Sequence, residues 1–198
     1  MKQETVWDTI AEKWHEYRNE PPDYVKNFLK DKEGRILDLC CGSGRNFSQI
    51  KGQIYGVDFS AKMLEIAEKN ANKLKPPCIL IKSQISKLPF EDNFFDCAIF
   101  IAGLHCIKGK KKRECSLKEL FRVLKKGKQA IISVWSSNQK RVKGKKGDIF
   151  VPWTVEGKKY KRYYYLYEKD ELEKELKKAG FHISEIKEEK RIIAIVEK

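Results

Sequence analysis

Two glycines and two acids near the start of the chain have the types and the spacing of a nucleoside-binding site. Gly42 and Gly44 follow a buried apolar run that contains Asp38, and glycines there let the backbone approach a ligand closely. A dinucleotide fingerprint would need a third glycine where Phe47 stands, and a phosphate-binding loop would need a lysine in another register. Asp58, at the end of the next apolar run, can accept both hydroxyls of a ribose. The pattern predicts a nucleoside ligand without pyrophosphate contacts.

A further pair of residues extends this pattern. Gln84 and Ile85 follow a third apolar run, "CILIK". A side-chain amide beside a backbone N–H can recognise the edge of an adenine by hydrogen bonds. A ribose, an adenine and a closely approaching loop that makes no phosphate contacts together describe S-adenosylmethionine, so we expect this cofactor.

Two adjacent cysteines, Cys40 and Cys41, precede the first glycine of the loop. Successive side chains at the end of a strand point to opposite sides, which argues against a joint metal site. We interpret Cys40 as occupying a glycine position and Cys41 as packed towards the core. The six cysteines include no C-x-x-C pair, which argues against zinc binding by this chain.

These residues need a sheet to bring them together, and the chain has the pattern of one. Apolar runs alternate with helical segments between residues 35 and 135, which is typical of βαβ units and a parallel sheet. Right-handed crossovers put the loops that follow parallel strands along one edge, where ligands bind. The predicted strands are "RILDLC", "QIYGVD", "CILIK", "FDCAIFIA" and "KQAIISVW", followed by a final pair, "HISEIKEE" and "RIIAIVEK".

Helical periodicity is clearest over residues 5–18, where Trp7, Ile10 and Trp14 share one face. Residues 136–168 are predicted to be irregular and basic, and we expect them to form a substrate lid. Because no linker or repeat interrupts the chain, residues 1–198 are predicted to form a single domain. Further helices are predicted over "YVKNFLK", "NFSQI", "AKMLEIAEKNANKL" with Ser60 as its N-cap, "RECSLKELFRVL" and "KDELEKELKKAG".

The composition narrows the class of protein. The chain has 198 residues, of which 41% are hydrophobic, and a formal net charge of +14, which suits a globular domain with a polyanionic partner. A lysine-rich surface of a heat-adapted protein is the other explanation of that charge. No apolar stretch is long enough for a bilayer, and the first residues lack the apolar core of a signal peptide. We expect a cytosolic protein with reduced cysteines.

The basic residues are grouped in three segments, 108–113, 140–146 and 158–162. The first two follow the fourth and fifth predicted strands, and the third lies in the same insertion, so all three should surround the mouth of the cofactor pocket. Aromatic groups among these charges can stack on unpaired bases, although packing within a lid would use them equally. These observations favour a nucleic acid bound over the site. The aromatic residues are Trp153, Tyr163, Tyr164 and Tyr165.

Four motifs resemble, in order, those of class I S-adenosylmethionine-dependent methyltransferases: "ILDLCCGSG", "YGVDFS", "LPFEDNFFDCAIF" and "RVLKKG". The resemblance implies a Rossmann-like α/β fold with a mostly parallel seven-stranded sheet and helices on both faces. Cys40 replaces the first glycine of the family's loop, and Gln84 stands where an aspartate is common. The implied cofactor-binding residues are Asp38, Gly42, Gly44, Asp58, Phe59, Gln84, Ile85 and Ala102.

A second set of motifs resembles the wobble-uridine tRNA carboxymethyl methyltransferase family, whose module also occurs fused to an AlkB-like dioxygenase. The set comprises "VWDTIAEKWHEYR", "IAGLHCIKGKKKRECSLKEL", "SVWSSNQ", "DIFVPW" and "KRYYYLYEKDELE". The resemblance implies that the chain converts the carboxymethyl group of a wobble uridine to its methyl ester. Family members usually carry two histidines where this chain has His105 and Cys106. The residues implied to position the acceptor are Arg18, His105, Arg113, Asp148, Trp153, Arg162 and Tyr163.

The same resemblance implies two partners, the tRNA anticodon loop and a small zinc-binding activator protein. The activator would dock by strand addition at the exposed edge strand Cys78–Ile81. Arg18 could equally bind the methionine carboxylate of the cofactor, and His105 could be a structural histidine. Two other functions stay open: a small-molecule methyltransferase of quinone or metabolite type, and an RNA-binding scaffold with a degenerate cofactor loop, which Cys40 suggests.

Overall fold

A computed structural model describes residues 1–142 and 144–198. Lys143, part of the basic segment 140–146, lies outside the described residues. The helices are α1 (Gln3–Tyr17), α2 (Asp23–Leu29), α3 (Ala61–Ala71), α4 (Lys110–Val123) and α5 (Lys169–Ala179). The strands are β1 (Glu33–Leu39), β2 (Lys51–Asp58), β3 (Ile79–Lys82), β4 (Phe95–Ile101), β5 (Leu124–Trp135), β6 (Gly147–Val155), β7 (Lys158–Leu166), β8 (His182–Glu188) and β9 (Arg191–Glu197).

Seven of these strands form one sheet in the order β3-β2-β1-β4-β5-β9-β8. The first five run parallel, and β9 is antiparallel to both β5 and β8. The mostly parallel seven-stranded sheet predicted from the sequence is therefore confirmed. None of the helices in the described parts of the chain is long and apolar enough to cross a membrane.

The central strands are apolar on both faces because both faces are covered. Leu37 and Phe100 belong to a core that includes residues of α4 and α5. Ile36 and Ile99 face the other way, into a core with residues of α2. This packing fixes the carboxyl ends of β1 and β4 side by side, where the functional residues lie.

The helix predicted over "NFSQI" is wrong, because residues 45–50 form a turn and an extended segment. Asn46 donates a hydrogen bond to Asp38, and the Ser48 hydroxyl donates to the carbonyl of Asn46. Short polar side chains that bond locally compete with helix formation, and the segment is too short to offset this. The ring of Phe47 fills the space beside Gly44 instead.

The insertion at 136–168 was predicted to be irregular, but most of it is regular: β6 and β7 form an antiparallel hairpin. Its two-residue turn is Glu156-Gly157, and both residues have positive φ, as a tight hairpin turn requires. The strand pattern is weak in the sequence because basic residues dominate the first half of β7 and because β6 contains Pro152.

The predicted amphipathic helix at residues 5–18 is confirmed as α1. It buries Trp7, Ile10 and Ala11 against α3 and the hairpin. Gln3 at its start bonds to the backbone of β7, accepting from the N–H of Tyr163 at 2.8 Å. Helix α1 therefore lies across the carboxyl edge of the sheet and joins the hairpin to the rest of the domain.

Candidate functional site

A cavity opens at the carboxyl edge of the sheet, between the glycine loop, α1 and the ends of β4 and β5. Gly42, Asp58, Phe59 and Ala102 line one side of it, all of them expected cofactor residues. Tyr164 of the hairpin closes the opposite side. The sheet, the first helix and the hairpin thus each contribute one wall.

The glycine loop leaves room for a ligand above its backbone. Gly42 has φ +55° and Gly44 has φ +77°, a conformation that favours glycine. No atom lies nearer than 4.0 Å to the position that a side chain at Gly42 would occupy. The N–H of Gly42 donates to a carboxylate oxygen of Asp58 at 2.9 Å, which ties the loop to the end of β2.

Asp58 is buried and held by backbone groups on both oxygens. Its second oxygen accepts the N–H of Ser60 at 2.9 Å. Burial raises the pKa of Asp58 to about 6, against the effect of these N–H groups. A carboxylate oxygen has two lone pairs, so each can still accept one ribose hydroxyl. The geometry fits the expected role of Asp58.

Asp38 lies beneath the loop and is almost completely buried. One oxygen accepts from Asn46 at 3.4 Å, while the other has no partner among the described residues. Burial raises the pKa of Asp38 to about 7. A buried acid of this kind supports the loop from below, and neither Asp38 nor Gly44 lines the cavity.

The cavity continues into a second, wider one, and the two share a wall that includes Cys40 and Phe59. Gln84 and Ile85 line the wider cavity, with Gly103 facing them. An amide, a backbone N–H and the Phe59 ring are groups that suit an adenine. The residues present therefore fit S-adenosylmethionine, with its nucleoside near the shared wall.

His105 is buried at the acceptor side, stacked on Trp135 and close to Tyr164. The backbone N–H of Trp135 donates to its Nδ1 at 3.4 Å, so the ring proton must reside on Nε2. Burial and, secondly, Arg191 hold the pKa of His105 well below its usual range. At neutral pH the ring is an uncharged hydrogen-bond donor through Nε2.

Among the described residues, three arginines line the cavity, and only Arg18 was expected there from the sequence. Arg45 follows the glycine loop, and Arg191 begins β9 opposite Trp135. Burial and the neighbouring Arg191 lower the pKa of Arg45. Arg45 could have been expected at the cavity from the sequence, because it directly follows the glycine loop. Arg191 could be found only from the antiparallel pairing of β9 with β5.

Arg162 is buried in a box of aromatic rings on α1 and the hairpin. Its guanidinium lies 4.8 Å from the Trp153 ring centroid and 5.0 Å from that of Trp14, and it donates to the Tyr164 hydroxyl at 2.7 Å. Neither Arg162 nor Trp153 lines the two cavities. They form the layer behind Trp7, Trp14 and Tyr164, which do.

Arg113, Asp148 and Tyr163 were expected at the acceptor, but they do not line either cavity. Tyr163 donates to Asp148 at 2.6 Å and accepts from Arg113 at 3.4 Å. Arg113 also stacks on the ring of Tyr165 at 3.6 Å. The three residues join the hairpin to α4, outside the cavity walls.

Exposed lysines from three parts of the chain surround the wider cavity, and Phe150, 52% exposed, lies among them. The ammonium of Lys108 lies 5.9 Å from the Phe150 ring. Segments 108–113 and 158–162 thus reach the mouth as predicted, while no described residue of 140–146 lines either cavity. The lysines are Lys2, Lys108, Lys112, Lys159 and Lys161.

Cys40 and Cys41 have different surroundings, as the sequence suggests. Cys41 is buried, and Cys40 has φ +60°, in the left-handed region where a glycine would be unstrained. All six cysteines are free thiols.

Comparison with known proteins supports the same interpretation. The family model described as "Methyltransferase domain" matches residues 37–132. A tRNA (carboxymethyluridine(34)-5-O)-methyltransferase of Schizosaccharomyces pombe is 29% identical over 91% of this chain and 88% of its own length. "Probable tRNA methyltransferase 9B" of Mus musculus is 29% identical over 75% of this chain. The chain spans only 33% of that relative's length. The resemblance to wobble-uridine tRNA methyltransferases is confirmed.

Another relative has a different substrate in its name. A 2-phytyl-1,4-naphtoquinone methyltransferase of Nostoc punctiforme is 36% identical over 67% of this chain and 54% of its own length. Among solved structures, an S-adenosylmethionine-dependent methyltransferase of Methanosarcina mazei aligns with a TM-score of 0.72 over 90% of this chain and 98% of its own, at 21% identity. A chain from a complex with the Haloferax volcanii Trm112 methyltransferase activator also aligns at 0.72, over 96% of both chains and at 14% identity.

Proposed function

We propose that this chain, a class I S-adenosylmethionine-dependent methyltransferase domain, methyl-esterifies the carboxymethyl group of 5-carboxymethyluridine-type nucleosides at the tRNA wobble position. The class I fold and the cofactor predicted from the sequence are confirmed by the matching domain and the aligned structures. The observation that carries the substrate assignment is an arginine-lined, aromatic-walled cavity beside the cofactor loop, reached through a lysine-ringed mouth.

The chemistry needs alignment more than proton transfer. S-adenosylmethionine supplies a methyl group bonded to a positively charged sulfur. A carboxylate acceptor is ionised at neutral pH, so it needs no general base. Neutral His105 donates a hydrogen bond from Nε2 to one acceptor oxygen, and the other oxygen forms the new bond to carbon as the carbon–sulfur bond breaks. Trp135 and Tyr164 exclude water and limit the orientations of the acceptor.

The remaining expected residues take supporting roles in this proposal. Arg18, at the cavity wall, binds the methionine carboxylate or the acceptor. Arg162 holds Tyr164 in place by donating to its hydroxyl, and Trp153 packs against the guanidinium of Arg162. Arg113, Tyr163 and Asp148 anchor the hairpin, so that the insertion at 136–168 can act as a lid over the acceptor.

The tRNA anticodon loop is the polyanion we assign to the lysine-ringed mouth. Lysines neutralise phosphates, and exposed Phe150 and half-buried Tyr160 offer rings on which unpaired bases can stack. The cytoplasm suits a tRNA substrate and six free thiols.

We propose a small zinc-binding activator at the edge of the sheet. β3 is the edge strand beside β2, and Ile79 is 42% exposed there. An open apolar edge of this kind accepts an added strand. An aligned chain comes from a complex with the Haloferax volcanii Trm112 methyltransferase activator. Ile79→Lys should abolish copurification with the activator while leaving S-adenosylmethionine affinity of the isolated chain unchanged. Copurification that survives would exclude this edge.

The deciding experiment is transfer of labelled methyl to tRNA that contains 5-carboxymethyluridine, with and without the activator. Unmodified tRNA and a demethylated naphthoquinone serve as alternative acceptors. Label in the carboxymethyl tRNA alone, removed by mild base as an ester should be, is expected. Label only in the quinone would favour the small-molecule methyltransferase, which the Nostoc relative suggests.

The scaffold alternative rests on Cys40 in the glycine position. Calorimetry with S-adenosylmethionine separates it from the enzyme. Absence of binding, with and without the activator, would contradict both methyltransferase assignments.

A further inference from the structure

The acceptor cavity has more positive charge than the protein itself balances. Arg18, Arg45 and Arg191 line it, and none of the ion pairs within residues 1–142 and 144–198 involves any of the three. Nη1 of Arg191 is buried without a hydrogen-bond partner in the same residues. Asp58 is the acid among the described lining residues, and its oxygens already accept two backbone N–H groups.

The cofactor has one carboxylate, which can pair with one of the three arginines and not with all of them. S-adenosylmethionine carries one carboxylate, one ammonium and one sulfonium, so its net charge at neutral pH is positive. Arg191 is half-buried, and its buried Nη1 without a hydrogen-bond partner among the described residues is unfavourable. An acceptor with a negative charge satisfies this nitrogen and adds an ion pair, which a neutral quinone does not do.

The position of Arg191 sets it apart from the other two. Arg18 directly follows α1 and Arg45 directly follows the glycine loop. Arg191 is paired in the sheet with Trp135, whose N–H fixes the His105 tautomer, and it helps to depress the pKa of His105. Arg191 and the donor Nε2 of His105 thus lie on the acceptor side.

We infer that Arg191 is the residue that selects an ionised acceptor, binding one oxygen of the carboxylate beside His105. This assignment rests on the proposed function and adds the group that distinguishes the acid from its amide. Methyl transfer converts the carboxylate into an uncharged ester as the sulfonium becomes a thioether, so charge balances. The ester then has no ion pair with Arg191, which favours release of the product.

Equilibrium binding of tRNA tests this role of Arg191 without requiring methyl transfer. Two tRNAs are titrated into the protein bound to S-adenosylhomocysteine. One carries 5-carboxymethyluridine at the wobble position, and the other carries its carbamoylmethyl amide there. The wild-type protein should prefer the acid by roughly 10- to 100-fold, the size of a charge-assisted contact. Arg191→Gln should bind both alike, and Arg191→Lys should keep part of the preference.

Two controls separate specificity from structure. S-adenosylhomocysteine affinity and the melting temperature are measured for every variant, and Arg35→Gln removes an exposed arginine at the amino end of β1. A preference retained by Arg191→Gln, or a wild type without preference, would overturn the assignment. Loss of S-adenosylhomocysteine affinity in Arg191→Gln would instead make Arg191 a cofactor ligand. Failure of methyl transfer with a clear binding preference would contradict the proposed reaction alone.

Discussion

The two halves of the active cavity are stabilised in opposite ways. On the cofactor side, the carboxylate of Asp58 accepts N–H groups from residues close to it in the loop and in the chain. On the acceptor side, Arg191 has a buried nitrogen and His105 has a donor nitrogen for which residues 1–142 and 144–198 offer no partner. Asp58 thus has protein partners on both carboxylate oxygens without a ligand, whereas Arg191 needs an anion. Changes in the two halves should therefore affect cofactor and acceptor affinity separately.

Asp58→Ala is expected to separate cofactor affinity from acceptor affinity most strongly. It removes the ribose acceptor and leaves the N–H groups of Gly42 and Ser60 without their partner. S-adenosylmethionine affinity, measured by calorimetry, should fall by roughly 100-fold or more and activity should be lost. Asp31→Ala, at an exposed acid before β1, is the matched control. Unchanged affinity would show that the ribose binds elsewhere.

The double variant Lys108→Gln with Lys112→Gln is expected to do the opposite and to lower tRNA affinity alone. Both lysines line the wider cavity, so tRNA affinity should fall by about tenfold, and the slope of log affinity against log salt should decrease by about 1.4. Cofactor affinity should stay unchanged. Lys126→Gln with Lys128→Gln, near the amino end of β5, removes the same charge far from the cavity. Equal losses of tRNA affinity in both double variants would mean that only the net charge of the protein matters.

A pH series should distinguish the two halves again. The pKa of Asp58 is about 6, and ribose hydroxyls donate to its ionised form, so cofactor binding weakens as the pH falls. Between pH 7.5 and 5.5 the affinity should drop about fourfold, the ratio of the ionised fractions. Asp58→Asn should remove this dependence. Because His105 is held neutral, no step in the maximal rate should follow an ordinary histidine pKa near 6.5.

The smallest effect is expected from Cys40→Gly. Glycine adopts the φ of +60° without strain, so the variant should be more stable by about 1 kcal/mol, measured by denaturant unfolding. Since Cys40 lies in the wall shared by the two cavities, cofactor affinity should also rise, by a few fold at most. Weaker binding would mean that the Cys40 side chain contacts the ligand favourably.

The sequence could bring the expected cofactor residues together because they lie at successive strand ends. Gly42, Asp58 and Gln84 lie at or shortly after the carboxyl ends of β1, β2 and β3, and topology brings these positions to one edge. The acceptor half depends on side chains from α1, β7 and β9, which are distant in the sequence. Arg191 reaches it only through the antiparallel register with Trp135.

The misassigned elements have local causes. Residues 46–50 were predicted to form a helix, but hydrogen bonds of Asn46 and Ser48 favour a turn. The hairpin of β6 and β7 was hidden by its lysines, and its register decides which aromatic residues are buried. Arg113 lies at a position where the resemblance implies an acceptor residue, but its long side chain stacks on Tyr165.

The missing helix between β1 and β2 has a consequence for local stability. Beyond Cys41 and Gly42, whose N–H groups bond to the end of β2, the glycine loop has isolated turn bonds such as Phe47 N–H to the carbonyl of Gly44. Side chains of neighbouring helices hold it, Asn70 donating to the carbonyl of Ser43. Its amides should therefore exchange with solvent through local opening, long before the strands beside them do. Deuterium uptake over residues 42–50 would then report directly on whether α1 and α3 are docked.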